Sequence, residues 1–341
     1  MVANAQESAP PPSIPAGKRG SDMWEFIIRR TLQSIVVLLI VSASCFYLIH
    51  EMPGDMWSTI GMTLEQKQLV DARKHALGLD LPFLEQYWAW LKGLRHGALG
   101  LDYQMYPISG YIWKYAQNSL ILIGTAWLLA LMIAFPLAIY NSRRPGGLSD
   151  RAAAMLALAG FALPASAAGI WLRQLFAMNL LWLPPSSMHT PGMEGNLPDL
   201  LQHMVLPVAT LMLGIVAVYL KFIRSSLQEV LPLDYLQTAR AKGVPEKRVI
   251  LVHGLKNAMI PVVTLAAMDL PMLVSGSAIV ENVFNWGGLG SLMVYAALSR
   301  NHPLLIAVIL LVTALVVLFS WIADMIYLLL DPRIRFGRKT G

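Results

Sequence analysis

Six stretches of this chain run for twenty residues or more with few charges, and nothing else in it constrains the fold as strongly. They lie at roughly 26–49, 118–140, 152–180, 203–223, 260–280 and 303–330. A helix of about 20 apolar residues crosses the roughly 30 Å hydrocarbon core of a bilayer. Inside lipid every backbone N–H and C=O must be bonded within its own segment, so spans of this kind are helices. The predicted fold is therefore an all-α polytopic membrane protein with six transmembrane helices. Pro136, Pro164, Pro207 and Pro271 fall within or near the spans, which soluble helices rarely tolerate and membrane helices do. Composition agrees: 13% of the residues are charged, against about 25% in an ordinary soluble domain.

The basic residues orient the spans. Lys18, Arg19, Arg29 and Arg30 precede or begin the first. Arg143, Arg144 and Arg151 lie between the second and third, and Arg333, Arg335, Arg338 and Lys339 follow the sixth. Seven Lys and Arg occupy 221–259, whereas 181–202 has none and 281–302 has only Arg300. Because short cytoplasmic loops carry the excess of Lys and Arg, both termini are predicted to be cytoplasmic. The long loop 51–117 holds six basic and seven acidic residues. A loop of that length translocates largely regardless of charge and is assigned to the outside. The pI near 9.4 is no sign of nucleic-acid binding, since the basic residues sit beside apolar runs.

Cys45 is the single cysteine, which excludes an internal disulfide and any cysteine-based metal cluster. The run that contains it, from Phe26 to Ile49, is longer than the apolar region of a cleaved signal peptide, about 7–15 residues, and reads as a retained span. Residues 1–22, with Pro10, Pro11, Pro12 and Pro15, read as a disordered tail. Residues 23–50 then form the first transmembrane helix, 51–117 an extracytoplasmic helical loop domain, 118–335 the membrane core, and 336–341 a second tail.

Loop 51–117 has helical signals of its own. Thr63 and Gln66 predict a capping box for a helix that ends before Gly78. Pro82 suits the first turn of another, with Leu84, Tyr87, Trp88 and Leu91 on one side. Trp88, Trp90 and Trp113 have the amphipathic character of residues at headgroup level. The domain reads either as a cap on the span ends or as a cap that also docks an external partner.

The stretch 221–259 carries seven basic residues against Glu229, Asp234 and Glu246. Asp234 and Gln237 predict a capping box, Gly243 a left-handed helix end, and Pro245 with Glu246 the start of the next helix. The pattern is a short helix, a sharp turn, and a second helix leading into the fifth span. Ala239 and Ala241 keep the short helix slim, and Tyr235, Ala239 and Lys242 share a face. Two readings fit: an amphipathic helix on anionic lipid, or a docking surface for another protein.

The run Asp234-Tyr235-Leu236-Gln237-Thr238-Ala239-Arg240-Ala241-Lys242-Gly243, followed by His253-Gly254-Leu255-Lys256-Asn257-Ala258-Met259-Ile260-Pro261, resembles the coupling-loop signature of ABC importer permeases, close to the dipeptide/oligopeptide permease version. The Glu-Ala-Ala start of the general signature reads Gln237-Thr238-Ala239 here. The resemblance extends along nearly the whole chain after the tail. It includes Met23 to Arg30, Met52-Pro53-Gly54-Asp55, Leu77-Gly78-Leu79-Asp80, Glu281 to Trp286 with Gly288-Leu289-Gly290, and Leu330-Asp331-Pro332-Arg333-Ile334-Arg335. The start and ending are similar to those of the first of the two permease subunits in such systems. Gly287 stands where the family commonly has proline, and Asn301-His302 where Asp-Tyr is common.

The resemblance implies a type I importer-like fold and a pore-forming subunit that moves di- or oligopeptides inward by alternating access. It implies a second homologous permease, two cytoplasmic ATPase subunits and an extracytoplasmic solute-binding protein, in a bacterial or archaeal cytoplasmic membrane. It also implies that Asp234 to Gly243 engage the ATPases. The sequence has no phosphate-binding Gly-x-x-x-x-Gly-Lys-Ser/Thr run, so no cofactor is expected on this chain, and ATP and Mg belong to the partner subunits. Relatives carrying nickel complexes or oligosaccharides leave the solute open. A membrane-embedded enzyme is the first rival class, but no His-Glu-x-x-His or Gly-x-Ser-x-Gly occurs, and no metal site is expected. A secondary transporter usually has several midplane ionisable groups, and this chain has few. Away from the span ends, Arg173, Asp269 and Asp324 stand out. Asp324 is expected to be structural. Asp269 and Arg173 are the candidates for the solute path. Asp269 has a hydrogen bond to a neighbouring helix as its rival role, and Arg173 has snorkelling or an ion pair with Asp269.

Overall fold

A computed structural model describes residues 16–51, 63–76, 78 and 80–330. The described residues are mainly helical. The helices are α1 (Ala16–His50), α2 (Leu64–Ala76), α3 (Phe83–Leu94), α4 (Ile112–Ser142), α5 (Leu148–Ala162) and α6 (Ala165–Leu172). They continue as α7 (Leu197–Val230), α8 (Asp234–Ala241), α9 (Glu246–Arg248), α10 (Leu255–Val283), α11 (Leu289–Leu298) and α12 (His302–Leu330). A π-helical turn, Arg173–Asn179, extends α6, and another, Val249–Gly254, joins α9 to α10. Five helical stretches are long and apolar enough to cross a membrane.

Two expectations change. The third span is not one helix: it breaks at Leu163 and Pro164, and Pro164 caps α6 in an extended conformation. Proline has no N–H to continue the ladder and clashes with the preceding turn. The 15 residues of α5 rise about 22 Å, too little to span alone, so the crossing needs α5, α6 and the π turn together. Residues 16–22, expected to belong to a disordered tail, are helical, because α1 begins at Ala16. No proline lies between Pro15 and Pro53 to stop it. Residues 1–15 and 336–341 lie outside the described residues, as does Met52-Pro53-Gly54-Asp55.

Helix packing is driven by close approach of small residues, since lipid removes the usual hydrophobic incentive. Ala126, Ala130, Ala134 and Ala138 recur every four residues along α4 and are fully buried. With Tyr219, Leu220, Ile223 and Leu227 of α7 they form the main core. At Gly160 of α5 the α7 backbone comes so near that a Cβ would stand 2.6 Å from the Leu213 carbonyl oxygen. Near the opposite end of these helices from α3, Arg224 of α7 donates to Asp150 of α5 at 2.7 Å, and the Gly146 N–H donates to the same carboxylate oxygen at 2.8 Å. Arg30 of α1 pairs with Asp324 of α12, which gives Asp324 the structural role expected of it.

At the far end, α3 lies on the end of α1. Phe83, Tyr87 and Trp90 meet Phe46 and Tyr47 ring to ring, and Tyr87 shares a 2.8 Å hydrogen bond with Ser42. Of the expected face Leu84, Tyr87, Trp88 and Leu91, Tyr87 packs inward while Leu84 and Trp88 are exposed. The Thr63–Gln66 capping box forms: the Thr63 N–H donates to Gln66 Oε1 at 2.9 Å, and the Gln66 N–H to Thr63 Oγ1 at 3.4 Å.

Candidate functional site

The segment from the end of α7 to the start of α10 is built from short-range rules. Helix α7 runs out at Val230, Leu233 turns extended, and α8 starts at Asp234. The expected Asp234–Gln237 capping box does not form. Leu233 holds the cap position, and its carbonyl accepts from the Leu236 and Gln237 N–H groups. Asp234 is thereby inside the first turn, where its charge still suits the positive helix end. Gln237 donates back to the Pro232 carbonyl at 2.9 Å, and the Thr238 hydroxyl to the Asp234 carbonyl at 2.9 Å. At the other end, Gly243 has φ +77°. Its N–H donates to the Arg240 carbonyl and the Val244 N–H to the Ala239 carbonyl, the two bonds of a Schellman turn. Pro245 caps α9, one place earlier than expected, and Glu246 opens it.

Three contacts tie α8 to the helices on either side. Leu236 is fully buried and reaches toward Gly254 in the π turn that leads into α10. Tyr235 is exposed over part of its surface, yet its ring reaches the base of α10. Its hydroxyl accepts from Asn257 Nδ2 at 2.9 Å and lies 3.5 Å from the His253 carbonyl. Arg240 donates through Nε and Nη2 to the two Glu246 oxygens, each at 3.0 Å, and through Nη1 to the Leu231 carbonyl at 3.1 Å. One guanidinium thus joins the end of α7, the end of α8 and the start of α9. The hydrogen bonds from Arg240 hold the Glu246 carboxyl below the usual glutamate range, and Arg143 of the α4–α5 loop adds to the effect. Asp234, Gln237, Thr238, Ala241 and Lys242 remain exposed. The loop therefore has a fixed inner face and a free outer face of small and polar side chains.

Sequence reasoning marked the ends of α8 but missed Leu236 and Asn257, which hold it. An apolar residue in an otherwise polar eight-residue helix was the available signal for Leu236. Nothing local marks Asn257.

The two solute-path candidates lie apart in their bonding. Asp269 of α10 sits beside the Tyr219 hydroxyl of α7, which in turn accepts from Trp127 Nε1 of α4 at 3.1 Å. Met268 and Met272, on either side of Asp269, are exposed. Arg173 donates to the Val283 carbonyl at 2.7 Å, satisfying the last residue of α10 rather than a carboxylate. The ion pair between Arg173 and Asp269 weighed from the sequence is replaced by these separate partners.

Glu281 was quoted in the sequence only as part of a resemblance, and the structure gives it work. It is fully buried, accepting from Ser277 Oγ at 3.0 Å and from the Gly290 N–H at 2.7 Å. The carboxylate therefore faces the N-terminal turn of α11, where a negative charge is stabilised. Gly290 lies so close to Ala278 that no side chain fits. Beside it, Trp286 donates to the Asn118 carbonyl at 3.0 Å, and Asn118 to the Gly287 carbonyl at 2.7 Å. The α10–α11 turn is pinned to α4.

A helical membrane core with a short exposed helix braced between two long ones matches a known family. Residues 114–336 match the binding-protein-dependent transport system inner membrane component, and residues 23–131 match the N-terminal part of that component. The chain is 34% identical over 320 residues to the oligopeptide transport system permease protein AppB of Bacillus subtilis, covering 92% of this chain and all of the relative. It is 36% identical over 319 residues to the glutathione transport system permease protein GsiC of Escherichia coli, again covering 92% of this chain and all of the relative. A chain of the MetNI methionine ABC transporter, solved in inward-facing conformations, has the same fold at 18% identity. Its TM-score is 0.51, over 64% of this chain and 96% of that one. The chain belongs to the family of binding-protein-dependent transport system inner membrane components. Within it the chain is an ABC importer permease subunit, non-catalytic itself, with ATP hydrolysed on separate subunits.

Proposed function

We propose that this chain forms one half of a pore that carries di- or oligopeptides into the cell, paired with a second, homologous permease. The observation that carries the reading is the α8 brace, and the relatives named for oligopeptide and glutathione transport support the solute class. Two cytoplasmic ATPase subunits hold ATP and Mg and receive the exposed face of α8, formed by Asp234, Gln237, Thr238, Ala241 and Lys242. Closure of those subunits on ATP displaces α8. Because Arg240, Leu236 and Tyr235 fasten it to α7, α9 and the base of α10, the displacement passes to the long helices as a rigid-body rotation. An extracytoplasmic binding protein delivers the solute. The termini and 221–259 are cytoplasmic, 51–117 forms the outer domain, and 118–335 is the permease core, in a bacterial or archaeal cytoplasmic membrane.

Asp269 faces the solute. A carboxylate at membrane depth needs water or a partner. Tyr219 supplies one hydrogen bond, and a water-filled path supplies the rest. The flanking methionines are flexible and polarizable, suited to varied side chains. A peptide ammonium is guided past the carboxylate rather than held. Arg173 borders the outer end of the same path while it anchors Val283.

The test is reconstitution of the chain with its neighbouring permease, ATPases and binding protein in liposomes. ATP-dependent accumulation of a labelled peptide is expected, with none when the ATPases are omitted. Uptake driven by an ion gradient without ATP, or ATP hydrolysis by this chain alone, overturns the reading.

A further inference from the structure

Segment 181–196, which joins the π turn after α6 to α7, is fastened at one point in a way that depends on a proton. His203, in the second turn of α7, is buried, and both of its ring nitrogens face acceptors. Nδ1 lies 3.1 Å and 2.9 Å from the Ser186 and Ser187 carbonyl oxygens, which can only accept. Nε2 lies 3.3 Å from Thr190 Oγ1 and 3.6 Å from Asp199 Oδ1. The Thr190 hydroxyl has one proton, and Asp199 Oδ1 takes it at 2.7 Å, so Thr190 offers His203 only lone pairs. An imidazolium, with two N–H donors, satisfies all of these groups at once. A neutral ring donating to the carbonyls turns its Nε2 lone pair on an oxygen lone pair and a carboxylate. Relief comes only if Thr190 swings its proton away from Asp199, and one hydrogen bond is lost either way.

The same loop segment reaches across the molecule. The Ser187 N–H donates to the Phe284 carbonyl at 2.8 Å, and Met188 packs against the cluster that contains Trp286. His203 is thus one of two points at which α7 holds residues 186–190, which lead on to the α10–α11 turn; Asp199 is the other. The other ionisable groups nearby are few. His189 Nδ1 is 3.2 Å from the second Asp199 oxygen, which also accepts from the Thr190 N–H at 3.0 Å. Glu194 interacts with both His189 and Asp199. From the α6 side, Arg173 is engaged by Val283, and the α10–α11 turn presents the apolar Phe284 and Trp286.

We infer that His203, Asp199 and Thr190 form a proton-dependent latch on the outer loop, closed when the His203 ring carries two N–H donors and loosened when it carries one. Its physiological meaning rests on the proposed orientation, in which this loop faces the outside and samples external pH. The latch itself does not depend on that orientation.

The first readout is loop mobility in the purified complex. Met193, exposed in the loop, is changed to cysteine in a Cys45→Ala background. Labelling by a hydrophilic maleimide is followed from about pH 5.5 to about pH 8. Rates are normalised to the same cysteine in denatured protein. Loss of one charge-assisted hydrogen bond predicts an increase of roughly tenfold in labelling across that range. His203→Gln, which cannot titrate, flattens the profile, and His189→Gln leaves the slope unchanged. Thr190→Val removes the bridging hydroxyl without touching α7 and raises labelling at the acid end. A wild-type slope retained in His203→Gln, a slope that follows His189 instead, or a flat wild-type profile overturns the latch. Where His203→Gln fails to assemble, Thr190→Val decides: unaltered acid-end labelling overturns the proposal. Reconstituted uptake against external pH is the second readout. If the loop titrates and peptide uptake is absent altogether, the transport reading fails while the latch stands.

Discussion

The Arg240 guanidinium grips the Glu246 carboxylate through two parallel hydrogen bonds of 3.0 Å, while its third nitrogen holds the Leu231 carbonyl at 3.1 Å. A planar fork is needed for this geometry, and lysine cannot reproduce it.

Arg240→Ala and Arg240→Lys should therefore behave alike. Both pairing groups are partly solvated, so little folding stability rests on the pair, and protein abundance should hold. Transport per ATP hydrolysed should fall by up to roughly fivefold, the factor that about 1 kcal/mol of lost bracing supports. Parallel measurement of ATP turnover and peptide uptake checks this. Normal uptake per ATP in Arg240→Ala would show that α8 is held without the clamp.

Gly243 has φ +77°, and a Cβ built on it meets nothing within 4 Å. The constraint there is backbone conformation and not space. Gly243→Val should uncouple ATP hydrolysis from uptake, because a β-branched residue strongly disfavours the left-handed region. Gly243→Asn should retain most of the uptake, since asparagine visits that region readily. Equal losses in the two variants would point to a contact with the partner ATPase instead of the turn.

Asp269→Asn keeps the shape beside Tyr219 and removes the charge. Uptake of cationic peptides should fall more than uptake of neutral or anionic ones, by roughly three- to tenfold, the scale of a weak, hydrated charge contact. Competition assays with matched peptides at constant protein abundance measure the ratio. A uniform loss across all solutes assigns Asp269 to the α7–α10 contact alone.

Gly160 and Gly124 make a paired test of helix packing. A Cβ on Gly160 collides with the Leu213 carbonyl at 2.6 Å, whereas one on Gly124 meets nothing within 4 Å. Gly160→Ala should destabilise the α5–α7 contact by about 1–3 kcal/mol. Gly124→Ala should be neutral or stabilising by up to about 1 kcal/mol, from helix propensity. Thermal unfolding of the purified complex in detergent separates them, and a stable Gly160→Ala would mean that α5 shifts to make room.

The Thr63–Gln66 box and the Gly243 turn were both legible because each involves residues within a few positions of one another. The Asp234–Gln237 box was drawn by the same rule and failed by one position: the backbone already turns helical at Asp234, so Leu233 takes the cap. The third span looked continuous because the apolar run is continuous. Whether Pro164 kinks or breaks a helix depends on what replaces the missing backbone bond, and that is a property of its surroundings.

By itself the sequence determined the helical membrane class, the charge asymmetry from which orientation is proposed, and the helix–turn–helix form of 221–259. These follow from apolar run length, Lys and Arg distribution, and the backbone preferences of proline and glycine, all of which act locally. Only the tertiary structure decided that Asp269 meets Tyr219, that Arg173 caps α10 through Val283, that Glu281 faces the start of α11, and that His203 reaches Ser186, Ser187 and Thr190. Each of these pairs a polar group with whichever acceptor or donor the packing of small residues brings within reach. A polar group inside a membrane protein must find such a partner, but the helix that supplies it is set by close approach at places such as Ala126 to Ala138 and Gly160. No spacing along the chain encodes that choice.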